Sequence, residues 1–201
     1  MTVTVDRRGP GRPRAEGHDE KILDAVLTLI DKDEPVTVKA VVELSGLSRA
    51  ALYRRWPSVT DLVAAALDRG RVPVEIDASG DLEETIVGLL FADPDATRGR
   101  DYSERRFRKR IALVMENAEL QRAYWSSHVR RRRRAMVHAL HVGMERGELR
   151  ADLDVDASID AINGIFYYQL VARGTSLDDP DTVRRCRTAF EIVWRGMTSG
   201  S

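Results

Sequence analysis

The sequence predicts an all-α fold, and two observations lead to that prediction. Apolar residues recur at intervals of three and four along most of the 201-residue chain, which is the spacing of one face of an α-helix. No segment shows the alternation of apolar and polar residues that a half-buried strand requires. The composition, 43% hydrophobic and 32% charged, is that of a well-folded helical protein. We expect a small N-terminal helical domain followed by a larger one.

Charge and cysteine content limit the class of protein. The 32 basic and 32 acidic residues give no net charge, so a nucleic-acid partner must be argued from local charge placement. A single cysteine, Cys186, excludes an intramolecular disulfide and fits the reducing cytoplasm. No apolar run approaches the roughly 20 residues that span a bilayer. We expect a cytoplasmic protein with no membrane partner.

Chemical motifs of enzymes do not stand out. The sequence has no glycine-rich phosphate loop, no Gly-x-Ser-x-Gly turn and no evident cysteine–histidine pair, so we predict no catalytic residues, no cofactor and no enzymatic activity. His138, His141 and Glu145 have helical spacing, but without a thiolate they are more typical of a helix surface than of a metal site. We predict no metal.

Three regions are predicted along the chain. Residues 1–18 are rich in Arg, Gly and Pro and read as a flexible basic arm. Residues 19–70 form the first helical domain and residues 71–201 the second. In the second domain, helices are expected at about 81–91, 104–119, 121–146, 155–173 and 180–198.

The first domain contains the pattern of a helix-turn-helix. Thr37 is the expected N-cap of one short helix and Ser48 of the next, which ends near Trp56. Gly46 lies in the three-residue turn between them, where a positive φ favours glycine. The residues spaced to pack the two helices together are Val41, Leu44, Leu47 and Leu52.

The third helix of this domain is expected to present a polar face outward, formed by Arg49, Ala50, Tyr53 and Arg54. Arginine can donate two hydrogen bonds to guanine, and alanine can contact a thymine methyl group. Tyr53 is better suited to a phosphate. A solvated helical hairpin with basic residues is the alternative that the local pattern leaves open.

The string from Ile22 to Leu62 resembles the DNA-binding domain of the TetR family of transcriptional regulators. The resemblance covers about residues 19–68 and rests on Val36-Thr37-Val38, the Gly46-Leu47-Ser48 turn, the Leu52-Tyr53 pair, and Trp56 followed by Ser58. It implies a homodimer with a DNA-binding helix-turn-helix and a second, helical domain for effector binding and dimerisation. The implied roles are recognition-helix contacts by Arg49, Ala50, Tyr53 and Arg54, and backbone contacts by Thr37, Ser48 and Arg55.

The arm is a second candidate DNA contact. Arg12 and Arg14 belong to a Gly-Arg-Pro-Arg segment, and such basic segments can enter a narrow minor groove. A basic tail without a specific role is the alternative.

An apolar stripe on the last helix is expected to pair with the preceding helix across the dimer axis. The predicted interface residues are Ile162, Phe166, Val183, Phe190, Val193 and Met197. Packing within one chain is the alternative for these residues.

The second domain is also expected to hold the effector pocket. Candidate residues are Phe91, Phe107, Met115, Trp125, His128 and Tyr167, although aromatic residues at helical spacing are first of all core residues.

The Arg130–Arg134 run must cover every face of its helix. We interpret this run as a solvated segment of helix whose arginines pair with carboxylates such as Glu104 or Glu145. Nucleic-acid binding and an acidic effector are the other interpretations.

The sequence therefore predicts a ligand-responsive repressor, associated with the nucleoid when bound to DNA. It would bind a pseudo-palindromic operator as a homodimer and be released by a small-molecule effector. A small-molecule-binding module and a DNA-coating protein without operator selectivity are the alternatives.

Overall fold

A computed structural model describes residues 14–69, 75–91 and 104–199 of the chain, with the side chains of 14–16 left out. Within these residues the secondary structure is helical apart from one isolated β-bridge, so the predicted all-α class is confirmed. The chain divides into two compact units with a boundary between Arg69 and Gly70. No helix of the described part is long and apolar enough to cross a membrane.

Residues 14–69 of the N-terminal unit form four helices: α1 (Arg14–Asp31), α2 (Val38–Ser45), α3 (Arg49–Tyr53) and α4 (Val59–Asp68). Helix α1 packs against α2 and α4. The core between them is formed by side chains buried to at least nine-tenths, including Ile22, Val26, Leu29, Val41, Leu52 and Leu62. Arg69, at the end of α4, forms ion pairs with Glu20 and Asp24 of α1 and so ties the last helix to the first.

Two expectations for this unit are wrong. Helix α1 begins at Arg14, not near Asp19, so residues 14–18 are helical rather than part of a flexible arm; Ala15 and Glu16 are good helix formers. Leu44, expected to pack in the core, is 49% exposed. On an eight-residue helix, Val41 already occupies the buried face, and Leu44 turns away from it.

In the C-terminal unit, the described residues form six further helices: α5 (Leu82–Phe91), α6 (Glu104–Glu116), α7 (Ala118–Tyr124), α8 (Arg130–Glu145), α9 (Val155–Tyr167) and α10 (Pro180–Met197). Two π-helical segments extend this set. Trp125–Val129 joins α7 to α8, and Tyr168–Ala172 continues α9. π-Helical turns inside α-helices are rare and are frequent at functional sites.

Side-chain caps set several of these helix starts. Asn117, Asp154 and Asp179 each accept a hydrogen bond from a backbone N–H in the first turn of α7, α9 and α10. The cap at Asn117 ends α6 at Glu116 and starts α7 at Ala118, so the boundary expected at 119–121 lies a few residues too late. Asn can satisfy the free N–H groups of a helix start.

The core of the C-terminal unit lies between α5, α8, α9 and α10 and includes Leu82, Ile86, Leu140, Ile159, Phe190 and Trp194. Helices α5 and α8 approach closely at Gly143. A Cβ atom there would lie 2.6 Å from Leu82 Cδ2 and 2.9 Å from Leu149 Cδ1, and only glycine leaves room for both leucines.

The predicted dimer seam is wrong at three positions. Ile162, Phe190 and Met197 are buried by the core of their own chain, so they have no surface left for a second copy. Helical periodicity identifies a buried face but not the chain that covers it. Phe166, Val183 and Val193 are half-buried, and their place in an interface stays a prediction.

Backbone hydrogen bonds tie the end of α10 to the connection between α8 and α9. Leu149 and Thr198 form the isolated bridge. The Arg150 N–H donates to the Met197 carbonyl at 3.0 Å, and the Ser199 N–H donates to the Glu148 carbonyl at 3.2 Å. These bonds hold both ends of the segment 149–198 together.

Candidate functional site

The turn between α2 and α3 has the geometry that the sequence predicts. Gly46 has φ +69°, in the left-handed region, and its N–H donates to the Val42 carbonyl. Ser45 Oγ accepts a hydrogen bond from Leu47 N at 3.3 Å, and Ser48 Oγ accepts one from Ala51 N at 3.2 Å. The short α3 is thus held at its start by the turn and by its N-cap.

Helix α3 is anchored by one side chain and presents the others to solvent. Leu52 is buried, whereas Arg49, Ala50, Tyr53 and Arg54 are all exposed, Tyr53 to 45%. The outward direction predicted for the four is therefore confirmed, and their contact with DNA stays a prediction. Arg54 lies just after the last helical residue and keeps helical φ and ψ.

The residues expected to contact the DNA backbone have different partners within the protein. Thr37 is the N-cap of α2, and its exposed side chain accepts a hydrogen bond from Ala40 N at 3.2 Å. Arg55 Nε lies 3.3 Å from Asp19 Oδ1 of α1, so a phosphate would compete with this carboxylate. Arg12 and the side chain of Arg14 lie outside the described residues.

The C-terminal unit contains a cavity of about 770 Å³, which is within the usual range for small-molecule sites. Apolar and aromatic side chains make up most of its wall. Five of the six predicted pocket residues line it: Phe91, Phe107, Met115, Trp125 and Tyr167. Both π-helical segments contribute to the wall, through Trp125 and Val129 and through Leu170 and Val171.

His128 is not among the residues that line this cavity. It is half-buried on the π-helical segment, with its ring centroid 5.7 Å from that of Tyr124. Burial, and then the charge of Arg131, lower the pKa of the imidazole below its usual value. The sequence could not show this orientation because His128 lies on the π-helical segment, whose residues do not follow α-helical spacing.

Two arginines meet one tyrosine at the cavity wall. Arg110 is only 6% exposed, and its guanidinium carbon lies 4.9 Å from the centroid of Phe107 and 5.7 Å from that of Tyr124. The guanidinium carbon of Arg132 lies 5.6 Å from the Tyr124 centroid. These are cation–π distances. Burial lowers the pKa of the Arg132 guanidinium.

Arg133 has a different role from Arg132. Its guanidinium forms ion pairs with Asp156, at 3.0 Å, and with Asp160 of α9, and lies 5.3 Å from the centroid of Trp125. The expectation that Glu104 or Glu145 would pair with the arginine run is wrong for Arg133. Glu104 instead pairs with Arg108 on its own helix, at 2.8 Å.

Comparison with known proteins gives consistent matches. Residues 96–189 match the family model of the tetracyclin repressor-like C-terminal domain. The chain is 27% identical over 192 residues to the uncharacterized HTH-type transcriptional regulator YdeS of Bacillus subtilis (strain 168), covering 91% of this chain and 93% of that protein. It is 26% identical over 107 residues to the uncharacterized HTH-type transcriptional regulator Rv2250c of Mycobacterium tuberculosis (strain ATCC 25618 / H37Rv), covering 52% of each.

The crystal structure of the TetR family transcription regulator SCO0332 has the same fold, with a TM-score of 0.53 at 22% identity over 87% of this chain and 97% of that one. These matches support the TetR family for this chain, and with it transcription regulation and a DNA-binding helix-turn-helix.

The TetR-family C-terminal match includes most of the cavity wall. Helices α6 to α9 fall within residues 96–189, and they provide Arg110, Tyr124 and Arg132. Arg110 and Arg132 were not among the predicted pocket residues. The available signal was the length of the arginine run, since five consecutive helical residues cannot all face solvent.

In the described part of the chain, no group of three or more His, Cys, Asp or Glu side chains is arranged to hold a metal ion. His138, His141 and Glu145 are exposed on α8. Cys186 is buried and lines the cavity, and burial raises the pKa of its thiol.

Proposed function

We propose that this chain is a ligand-responsive transcriptional repressor that binds a pseudo-palindromic operator as a homodimer and is released when a small-molecule effector occupies the cavity. The observation that best supports operator binding is the exposed face of α3. Arg49 and Arg54 offer two guanidinium groups for guanine edges, and Tyr53 offers a hydroxyl for a phosphate. The buried Leu52 holds this face outward.

A homodimer is part of the proposal because two recognition helices reach successive major grooves only when a twofold axis sets them about 34–36 Å apart. The exposed sides of α9 and α10 are the surface that we propose for the second copy. Helix α9 presents Ala157 and Ala161, and the π-helical segment after it presents Tyr168. Helix α10 presents Thr188 and Ile192, the last 67% exposed. This surface replaces the buried residues of the predicted seam.

The cavity supports the effector part of the proposal. Its size and its apolar wall suit a small organic molecule. An effector that favours a dimer whose recognition helices no longer match the operator spacing weakens DNA binding, and DNA then weakens effector binding by the same factor. The protein acts on DNA and therefore works at the nucleoid.

Selection of binding sites from random duplex DNA tests the proposal. The expected result is an enriched sequence with twofold symmetry and half-sites one helical turn apart. The Arg49→Ala, Arg54→Ala double variant should lose the enrichment, whereas Lys39→Ala, which removes an exposed cation from α2, should keep it.

Two outcomes would contradict operator recognition. Enrichment of no sequence, together with a steep salt dependence of binding, would assign the chain to general DNA coating. No binding to duplex DNA, with retained binding of small apolar molecules, would assign it to the ligand-binding modules.

A further inference from the structure

Asp19 of α1 is paired with an arginine that lies just after α3. Its Oδ1 atom is 3.3 Å from Arg55 Nε. The next two acidic residues of α1, Glu20 and Asp24, pair instead with Arg69 at the end of α4. The Asp19–Arg55 pair is therefore a separate contact, which joins α1 to the end of the helix that carries the proposed base contacts.

The backbone of Arg55 is fixed, whereas its side chain can change partners. The Arg55 N–H donates to the Leu52 carbonyl at 3.0 Å, and Leu52 is buried in the core. The guanidinium meets Asp19 at the surface, where the two side chains are 42% and 31% exposed. Exposed ion pairs contribute little to stability because water and salt screen them. A stronger anion can therefore displace Asp19.

A DNA phosphate is a stronger anion for this position. Arg55 comes directly after Arg54, the last residue of the exposed face of α3. A phosphate can accept two parallel hydrogen bonds from one guanidinium, whereas Asp19 approaches Arg55 through Nε. Neutralising a phosphate also releases condensed counterions from the duplex, a gain that the single carboxylate of Asp19 does not offer.

We propose that Asp19 is an internal competitor of the DNA backbone, which holds Arg55 in the free protein and gives it up to a phosphate when the helix-turn-helix binds DNA. Asp19 thereby lowers the affinity for DNA by acting through Arg55. This inference rests on the proposed function, in which the helix-turn-helix binds duplex DNA. Because phosphate contacts carry no sequence information, Asp19 lowers the affinity for operator and for random DNA by the same factor.

Two other roles for Asp19 give different expectations. A carboxylate that only orients Arg55 toward the phosphate would raise the affinity for DNA, so the substitution Asp19→Asn would weaken binding. A general repulsion between Asp19 and the duplex would act without Arg55. Glu20 distinguishes this last role, because it has the same charge on the same helix but pairs with Arg69.

Binding of the full-length protein to two fluorescently labelled duplexes, the selected operator and one of random sequence, tests the proposal. Asp19→Asn should tighten binding to both by about two- to fivefold, the factor that corresponds to one exposed ion pair. Asp19→Glu keeps the charge and should bind as the unmodified protein does. Glu20→Gln should tighten binding by less than Asp19→Asn.

Arg55→Met tests whether the effect of Asp19 passes through the arginine. This substitution should weaken binding and should make the slope of log K against log salt shallower by about 0.9, the value for one lost phosphate contact. In the Arg55→Met background, Asp19→Asn should tighten binding no more than Glu20→Gln does. Urea denaturation should give every variant a midpoint close to that of the unmodified protein, because the pair is exposed.

The outcomes distinguish this inference from the proposed function. Weaker or unchanged binding of Asp19→Asn would overturn the inference, and so would a tightening that persists in Arg55→Met or that Glu20→Gln reproduces. Tighter binding of Asp19→Asn to random DNA, in a protein that selects no operator, would contradict operator recognition and support the internal competition. Absence of DNA binding in every variant and in the unmodified protein would contradict both.

Discussion

Arg132 Nη2 donates a 3.1 Å hydrogen bond to the hydroxyl of Tyr124, eight residues earlier in the chain. Two turns of an α-helix take about 7.2 residues, so residues eight apart would normally diverge around the helix. The π-helical segment Trp125–Val129 lies between them, and its wider turn absorbs the additional residue. This segment therefore brings Arg132 back to the face of Tyr124 and to the cavity.

Tyr124→Phe should lower the free energy of unfolding by about 1 kcal/mol, since it removes one hydrogen bond to a charged group and keeps the ring beneath the guanidinium. Urea denaturation of the full chain measures the change. Tyr168→Phe is the matched control, because Tyr168 is 58% exposed and should lose almost nothing. Equal effects of the two substitutions would show that the Arg132–Tyr124 bond does not contribute to stability.

Arg54→Ala should cost about 1–3 kcal/mol in binding to the selected operator and should relax the preference at one base position. The reason is that a bidentate contact discriminates against the wrong base. Binding titrations against operators with single base changes measure both effects. Uniform weakening on all sequences would instead assign Arg54 to a phosphate.

Gly143→Ala should destabilise the C-terminal unit by about 1–3 kcal/mol, because the added methyl group would overlap Leu82 and Leu149. Gly88→Ala is the matched control. Gly88 lies inside α5 with open space at its Cβ position, so alanine should there stabilise the helix by about 0.5–1 kcal/mol. A neutral effect of Gly143→Ala in the same denaturation experiment would mean that α5 and α8 are not held this closely.

Ile192→Asp should convert the proposed dimer to monomers, since it places a charge on each side of an interface related by a twofold axis. Sedimentation velocity over a range of concentrations measures the change. Ala112→Asp, at an exposed position on α6, is the control and should remain dimeric. A dimer that survives Ile192→Asp unchanged would place the interface elsewhere.

The pH dependence of stability should contain a contribution from His128. Burial, and then Arg131, lower the pKa of His128 in the folded state, so the unfolded chain binds more protons near and just below the usual imidazole pKa. The free energy of unfolding should therefore fall as pH decreases from 7 to 5. His128→Gln should reduce that slope, and His141→Gln, at an exposed position, should not. Identical slopes for all three proteins would contradict the burial of His128.

Local signals predicted the N-terminal unit well. The N-caps at Thr37 and Ser48 and the left-handed Gly46 were all expected, because each depends on groups within three or four residues along the chain. The outward face of α3 followed from helical spacing once Leu52 was assigned to the core. The start of α1 was misplaced because the Gly- and Pro-rich arm obscured the helix-forming residues just after it.

The C-terminal unit was less predictable because its decisive contacts are between distant parts of the chain. The pairing of Arg133 with Asp160 joins residues 27 positions apart, and nothing local indicates it. The stripe that includes Phe190 was recognised as buried, but its periodicity could not show that α5, α8 and α9 of the same chain cover it. The inward direction of Arg132 depends on a π-helical segment that no pattern in the sequence predicts.

The bridge between Leu149 and Thr198 restricts how α10 can move. Because Met197 and Ser199 are hydrogen-bonded to the α8–α9 connection, axial slip of α10 by even one residue would break these bonds. Pivoting about the anchored C-terminal end leaves them intact. Val183 and Cys186 lie near the opposite, N-terminal end of α10. A ligand in contact with them would therefore push on α10 far from its fixed end, where a small force tilts the helix most easily.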